Sequence, residues 1–218
     1  DVMDYSVTYI RIYFLGMIPS SIYNIGSGIL RAVGDAKRPL YFLIAACFTN
    51  IVLDLLFVVV FHWGVAGAGI ATVMSQCLSA VLVCLVLSRS TESYRVMWHK
   101  VRFDSVMLPR IIRIGIPAGL QSVMYNAANI VVQTSMNTFG TDNVASWTVF
   151  EKMDGIYWLV VSAFGVAVTT FVGQNFGARK FERVKKSVRV SLAMCLSIAI
   201  GLSILLICLC PYIFLLFT

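Results

Sequence analysis

The sequence predicts an all-α fold, a polytopic bundle of transmembrane helices, and three observations carry that prediction. Hydrophobic residues make up 59% of the 218-residue chain and charged residues 12%, whereas an ordinary globular protein carries about 25% charged residues. The apolar residues collect into six stretches, at about 7–31, 40–61, 64–87, 109–139, 143–172 and 188–217. Each is long enough to cross a bilayer, which takes ~20 residues in a helix. Strict period-two alternation is absent, which argues against a β-barrel. The third observation is where the charge lies. Of the 17 Lys and Arg residues, all but Arg11 and Lys152 fall in three clusters: Arg31 to Arg38, Arg89 to Arg113, and Arg179 to Arg189. The alternate connections, around His62-Trp63-Gly64 and Phe139 to Asn143, hold no Lys or Arg. That alternation is the positive-inside pattern and predicts cytoplasmic loops at 31–39, 88–110 and 173–189. It also argues against a nucleic-acid partner, which the net charge of +7 would otherwise suggest.

In the first stretch, Pro19 with Gly16, Ser20 and Ser21 nearby predicts a kink, because proline removes a backbone donor and crowds the preceding turn. Gly34-Asp35 marks the turn that follows, and Pro39 suits the start of the next helix. The second stretch carries Asn50 and Asp54 among apolar neighbours. A carboxylate at mid-membrane costs roughly 2.5–3.5 kcal/mol on insertion scales, so it is expected to bind or pair with something. Residues four apart share a helical face, so two oxygen donors point the same way, as a hard cation requires. Gly64, Gly67 and Gly69 open the third stretch among alanines, a pattern that lets helices approach closely.

Ser88 to Leu108 is the long polar connector. Its Tyr94, Met97, Trp98, Val101 and Met107 interleave with basic residues and predict an amphipathic segment on the membrane surface. It divides the chain into 1–87, a linker at 88–108, and 109–218. The fourth stretch carries Pro117 and then Gln121, Tyr125, Asn129, Gln133 and Asn137 at every fourth position, with Ser122 and Asn126 beside them. A polar ridge of that length should face a bundle interior or a wet cavity. In the fifth stretch Glu151 and Asp154 share a face, with Lys152 turned away from Glu151; a neutralised network and a charged site in a cavity both fit. Gly173 to Ala178 reads as a tight polar turn, and it is not a phosphate-binding loop because no strand precedes it. The cysteines lie inside apolar stretches without metal-ligand spacing, as small buried residues do. The chain opens on Asp1 and closes on Phe217-Thr218 within an apolar run, so we expect a segment of a longer polytopic protein.

Five motifs in order, LRAVGDAKRPL (30–40), the span holding Asn50 and Asp54, GVAGAGIATVMSQ (64–76), RIGIPAGLQS (113–122) and FVGQNFGARKFERV (171–184), resemble the multidrug and toxic compound extrusion (MATE) family of secondary transporters. The resemblance covers nearly the whole chain and implies helices four to nine of twelve in a two-lobe transporter: the second half of the N-lobe, the linker, and the first half of the C-lobe. It implies a cation site for Na⁺ or H⁺ on Asn50, Asp54, Thr72 and the carbonyl of Ala68, completed by a carboxylate from a first helix. It further implies Na⁺- or H⁺-coupled export of amphipathic, cationic organic compounds across the inner (plasma) membrane, without a cofactor, in company with the remaining helices of the same chain. Asn50, Asp54 and Thr72 would be the Na⁺ ligands. Gln121, Asn126, Asn129, Glu151 and Asp154 are the candidate substrate contacts. At Tyr125 the chain departs from the branches that place a Glu on the seventh helix. The rival expectations are a lipid-linked oligosaccharide flippase of the same superfamily, which needs several cationic residues inside its spans, and a non-transporting receptor or scaffold. No nucleophile–base pair appears, so an enzyme is not expected.

Overall fold

The computed structural model describes residues 2–92 and 94–217. Among them are six long α-helices and no strand: α1 (Val2–Ala32), α2 (Lys37–Asp54), α3 (Gly64–Arg89), α4 (Met107–Met136), α5 (Thr141–Gly177) and α6 (Phe181–Phe217). They divide into two compact units, Asp1–Val101 and Arg102–Thr218. Four segments, Lys37–Val60, Gly64–Arg89, Ser146–Gly177 and Phe181–Leu209, are long and apolar enough to cross a membrane. Helices α1 and α4 are less apolar because each carries an internal proline and a row of polar residues. Large apolar side chains line the outsides of the helices, as they must where the surrounding solvent is hydrocarbon.

The first unit is built around α3, which packs along α1 and against α2. The approach of α1 to α3 depends on small residues. A Cβ added to Gly26 would lie 2.8 and 2.9 Å from the two γ-carbons of Val83, and one on Gly69 would lie 3.1 Å from Ile12. Gly67 is likewise packed, against Phe57 and Trp63, but Gly64 has open space around it. Its role is conformational: with φ at +55° it turns the chain into α3. Below the contact lies a core of Tyr23, Leu30, Val83 and Leu87. The Tyr23 hydroxyl donates a buried hydrogen bond to the Pro39 carbonyl (2.9 Å), which ties α1 to the start of α2.

Two helix ends close by the same device. Gly34 (φ +94°) and Asp35 donate to the carbonyls of Arg31 and Leu30 at 3.0 and 2.9 Å, the paired bonds of a Schellman cap. Asp35 then accepts from the Arg38 amide (3.1 Å) and pairs with the Arg38 side chain (3.2 Å). At the end of α5, Arg179 and Lys180 donate to Phe176 and Asn175, both at 2.9 Å, and Arg179 takes a φ of +57°.

Several expected boundaries are corrected. Gly173 to Gly177 continue α5 as helix, and the turn comes at Ala178–Lys180. The basic run that follows occupies the first turns of α6 rather than a loop. Likewise only residues 33–36 separate α1 from α2, and α3 continues to Arg89 while α4 begins at Met107. Helical residues can keep their backbone bonds while their charged side chains reach the headgroup region, so hydropathy ends earlier than helix does. The connector also departs from a purely membrane-facing segment. Tyr94 and Val96 pack on the core of the first unit, and the Val96 amide donates to the Leu87 carbonyl (3.0 Å).

Candidate cation site and polar cavity

In the first unit a cavity of about 670 Å³ opens between α1, α2 and α3. Its polar wall includes Asn24, Arg31, Asn50, Thr72, Ser75 and Gln76. Each helix contributes a stripe at helical spacing: Ser20, Asn24 and Arg31 from α1, and Thr72, Ser75, Gln76 and Ser79 from α3. The Arg31 guanidinium is held to the wall by Ser27, donating to its carbonyl (3.2 Å) and to its hydroxyl (2.7 Å).

The four sequence-predicted cation ligands take distinct places. Thr72 Oγ1 donates to the Ala68 carbonyl (2.9 Å), so these two oxygens stand together on one turn of α3. Asn50 and Thr72 both face the cavity. Asp54 stands one turn beyond Asn50, half-buried and outside the cavity lining. Its Oδ1 is shielded from solvent and has no hydrogen-bond partner, and neither does the buried Nδ2 of Asn50. An ionised carboxylate left without a donor in an apolar setting is expensive. The described residues leave this oxygen uncompensated. One carboxylate with neutral amide, hydroxyl and carbonyl oxygens is a donor set for a hard cation. Among the described residues no group of three or more His, Cys, Asp or Glu side chains gathers.

Immediately after Asp54 the helix widens into a π-helical segment, Leu55–Val60. The Phe61 amide reaches back to Leu56 (2.9 Å), one residue further than an α-helix would. Phe57 and Trp63 stack beneath it, with centroids 5.1 Å apart. The insertion shifts the face on which residues beyond Asp54 emerge, and such bulges recur at functional positions.

The second unit places the candidate substrate contacts on α4 and α5. Gln121, Asn126 and Asn129 are exposed on α4, and the Asn126 amide back-bonds to the Ser122 carbonyl (2.8 Å). Gln133 donates to Asn137 (3.4 Å) while its own Oε1 is buried without a partner. Tyr125 meets Trp158 edge to face at 5.6 Å, joining α4 to α5. Glu151 is exposed and Asp154 half-buried, and among the described residues neither pairs with Lys152. Among the described residues these three side chains form no ion pair with one another.

The MatE family model matches residues 117–218. A probable multidrug resistance protein of Bacillus subtilis, YpnP, is 35% identical over 184 residues, covering 81% of this chain and 39% of its own length. This chain belongs to the MATE family. A second probable multidrug resistance protein of Bacillus subtilis, YoeA, is 28% identical over 200 residues, covering 88% of the MATE chain and 43% of its own length. Two solved MATE structures share the fold. The one in complex with MaL6 aligns with a TM-score of 0.87 at 24% identity, covering 97% of this chain and 48% of that one. An outward-facing multidrug resistance transporter of the MOP superfamily gives 0.86 at 24% identity with the same coverage. The chain thus spans about two fifths of the length of these curated relatives and about half of the solved ones. The model of the lipid II flippase MurJ also matches, over residues 2–128. The relatives that run through both halves of the MATE chain are multidrug resistance proteins, which sets the flippase reading aside.

Sequence reasoning passed over Gln76. Its Oε1 is buried without a partner in the cavity wall, and a Cβ on Gly16 of α1 would collide with it. The signal was present: Gln76 follows Thr72 by four residues and so shares its face. Trp147, whose Nε1 is buried and unpartnered on α5, gave no such signal, since a tryptophan in an apolar stretch reads as packing.

Proposed function

We propose that the full-length protein carrying this chain is a cation-coupled multidrug antiporter that exports amphipathic, cationic organic compounds by alternating access. The observation that carries the coupling is the buried, unbonded Oδ1 of Asp54, one helical turn from Asn50. The names of the relatives, multidrug resistance proteins, support the substrate class. In this reading Asp54 alternates between a cation-bound or protonated state and a free anionic one. The ion shifts the balance between inward- and outward-open arrangements only by its differential affinity for them. Asn50, Thr72 and the Ala68 carbonyl fill the remaining coordination of Na⁺; if the ion is H⁺, Asp54 alone carries it. Gln121, Asn126, Asn129, Glu151 and Asp154 contact the drug.

The test is Asp54→Asn in the full-length protein, an isosteric change that removes the charge. Ion-driven efflux should disappear while expression and folding persist, and Na⁺-dependent thermal stabilisation of the purified wild type should vanish with it. Efflux at the wild-type rate in that variant would sink the coupling role. A receptor or scaffold would show neither efflux nor an ion-dependent melting shift.

A further inference from the structure

The second unit contains a groove with a different chemistry. Between α5 and α6, at the end closed by the Ala178–Lys180 turn, lies a groove of about 460 Å³. One wall is Phe164, Ala167, Val168 and Phe171, a single face of α5. The other is a face of α6 that begins with Arg183 and Lys186, passes through Ser187, Val190 and Ser191, and ends with Met194. Because α6 rises 1.5 Å per residue, Met194 lies roughly 16 Å deeper than Arg183 along the helix. The groove is therefore basic at its mouth and mainly apolar further along α6. The ion pair of this turn joins Lys185 to Glu182 (3.1 Å), and among the described residues Arg183 and Lys186 have no carboxylate partner. Positive-inside asymmetry puts the basic mouth at the cytoplasmic headgroups.

We propose that this α5–α6 groove is a binding site for an anionic phospholipid of the cytoplasmic leaflet, with the phosphate held by Arg183 and Lys186 and an acyl chain laid along Phe164, Val168 and Val190. Charge complementarity selects this occupant. Two cations without a carboxylate partner at the headgroup level attract phosphate, while the α5 wall of Phe164, Ala167, Val168 and Phe171 suits an acyl chain. A neutral drug would fill the walls but leave both cations unmatched. The inference does not rest on the transport reading.

Native mass spectrometry of the full-length protein in phosphatidylcholine nanodiscs, titrated with phosphatidylglycerol, tests it. The wild type should retain phosphatidylglycerol in preference to phosphatidylcholine. Arg183→Gln with Lys186→Gln should weaken that retention roughly 25-fold, the product of about fivefold for each basic side chain near an anionic surface. Lys180→Gln with Lys185→Gln removes the same charge outside the groove and should leave it unchanged. Ala167→Trp, which fills the apolar wall, should lower retention as well; if that variant fails to fold, the charge pairs alone decide. Three results would overturn the proposal: unchanged retention in the Arg183/Lys186 pair, equal loss in the control pair, or glycerol phosphate binding as tightly as the lipid. Equal loss would mean diffuse surface attraction, and chain-free binding a simple anion site.

Discussion

Asp54 and Gly26 illustrate two ways in which one residue constrains this protein. Asp54 holds a shielded oxygen without a hydrogen-bond partner, which is costly in an apolar setting. Gly26 does the opposite: it contributes nothing chemical and is defined by what it leaves out. Val83 is fully buried and β-branched, so it cannot swing away from a new methyl group. Gly26→Ala should therefore destabilise the first unit by about 1–3 kcal/mol, the usual range for overpacking. A thermal melt of the detergent-solubilised protein would read it. Gly16→Ala meets first the far end of the Gln76 side chain, which can move, and then Val73 Cγ2 at 3.2 Å. Its effect should appear in the cavity, with a smaller loss in the melt than Gly26→Ala.

At the scale of the element, the helix ends give two further predictions. Arg179 closes α5 with a positive φ that a side chain tolerates poorly, at a cost of roughly 1–2 kcal/mol. Arg179→Gly keeps the cap bonds and removes that strain, so the melting temperature should rise, the gain tempered by the greater freedom of glycine in the unfolded chain. Asp104 starts α4. Its Oδ1 accepts from the Met107 and Val106 amides at 2.9 and 2.8 Å. Those bonds, Met107 first, hold its carboxyl below the usual range. A depressed folded value means the cap contributes fully above the ordinary unfolded carboxylate value and is lost as pH falls through the folded one. Amide exchange at residues 106 to 108, corrected for intrinsic rates, should accelerate across that acidic window. Asp104→Asn should blunt the pH dependence. The π-helical segment after Asp54 belongs to this scale too: it re-aims Phe57 to Phe61 against Trp63, and no feature of the apolar run LLFVVV announced it.

Across the whole molecule, each unit pairs a polar feature with an apolar frame. The first unit surrounds its cavity with α1, α2 and α3. In the second, α5 and α6 pack together, while α4 makes its main described contact with α5 through Tyr125 and Trp158. The all-α class, the count of long helices and the family were legible in the sequence, because hydropathy, charge alternation and ordered motifs are properties of the chain itself. So was the polar face of α2, since Asn50 and Asp54 are one turn apart wherever that helix packs. Helical periodicity says which residues share a face, but not which neighbour the face meets. Only the tertiary structure decided that Thr72 and Asn50 open on one cavity, that Gln76 joins them, and that Asp54 stands just beyond it with an unbonded oxygen. Among the described residues, Glu151, Lys152 and Asp154 form no ion pair with one another. Contacts of this kind depend on helix rotation and approach, which small residues and a single inserted π turn set over long sequence separations.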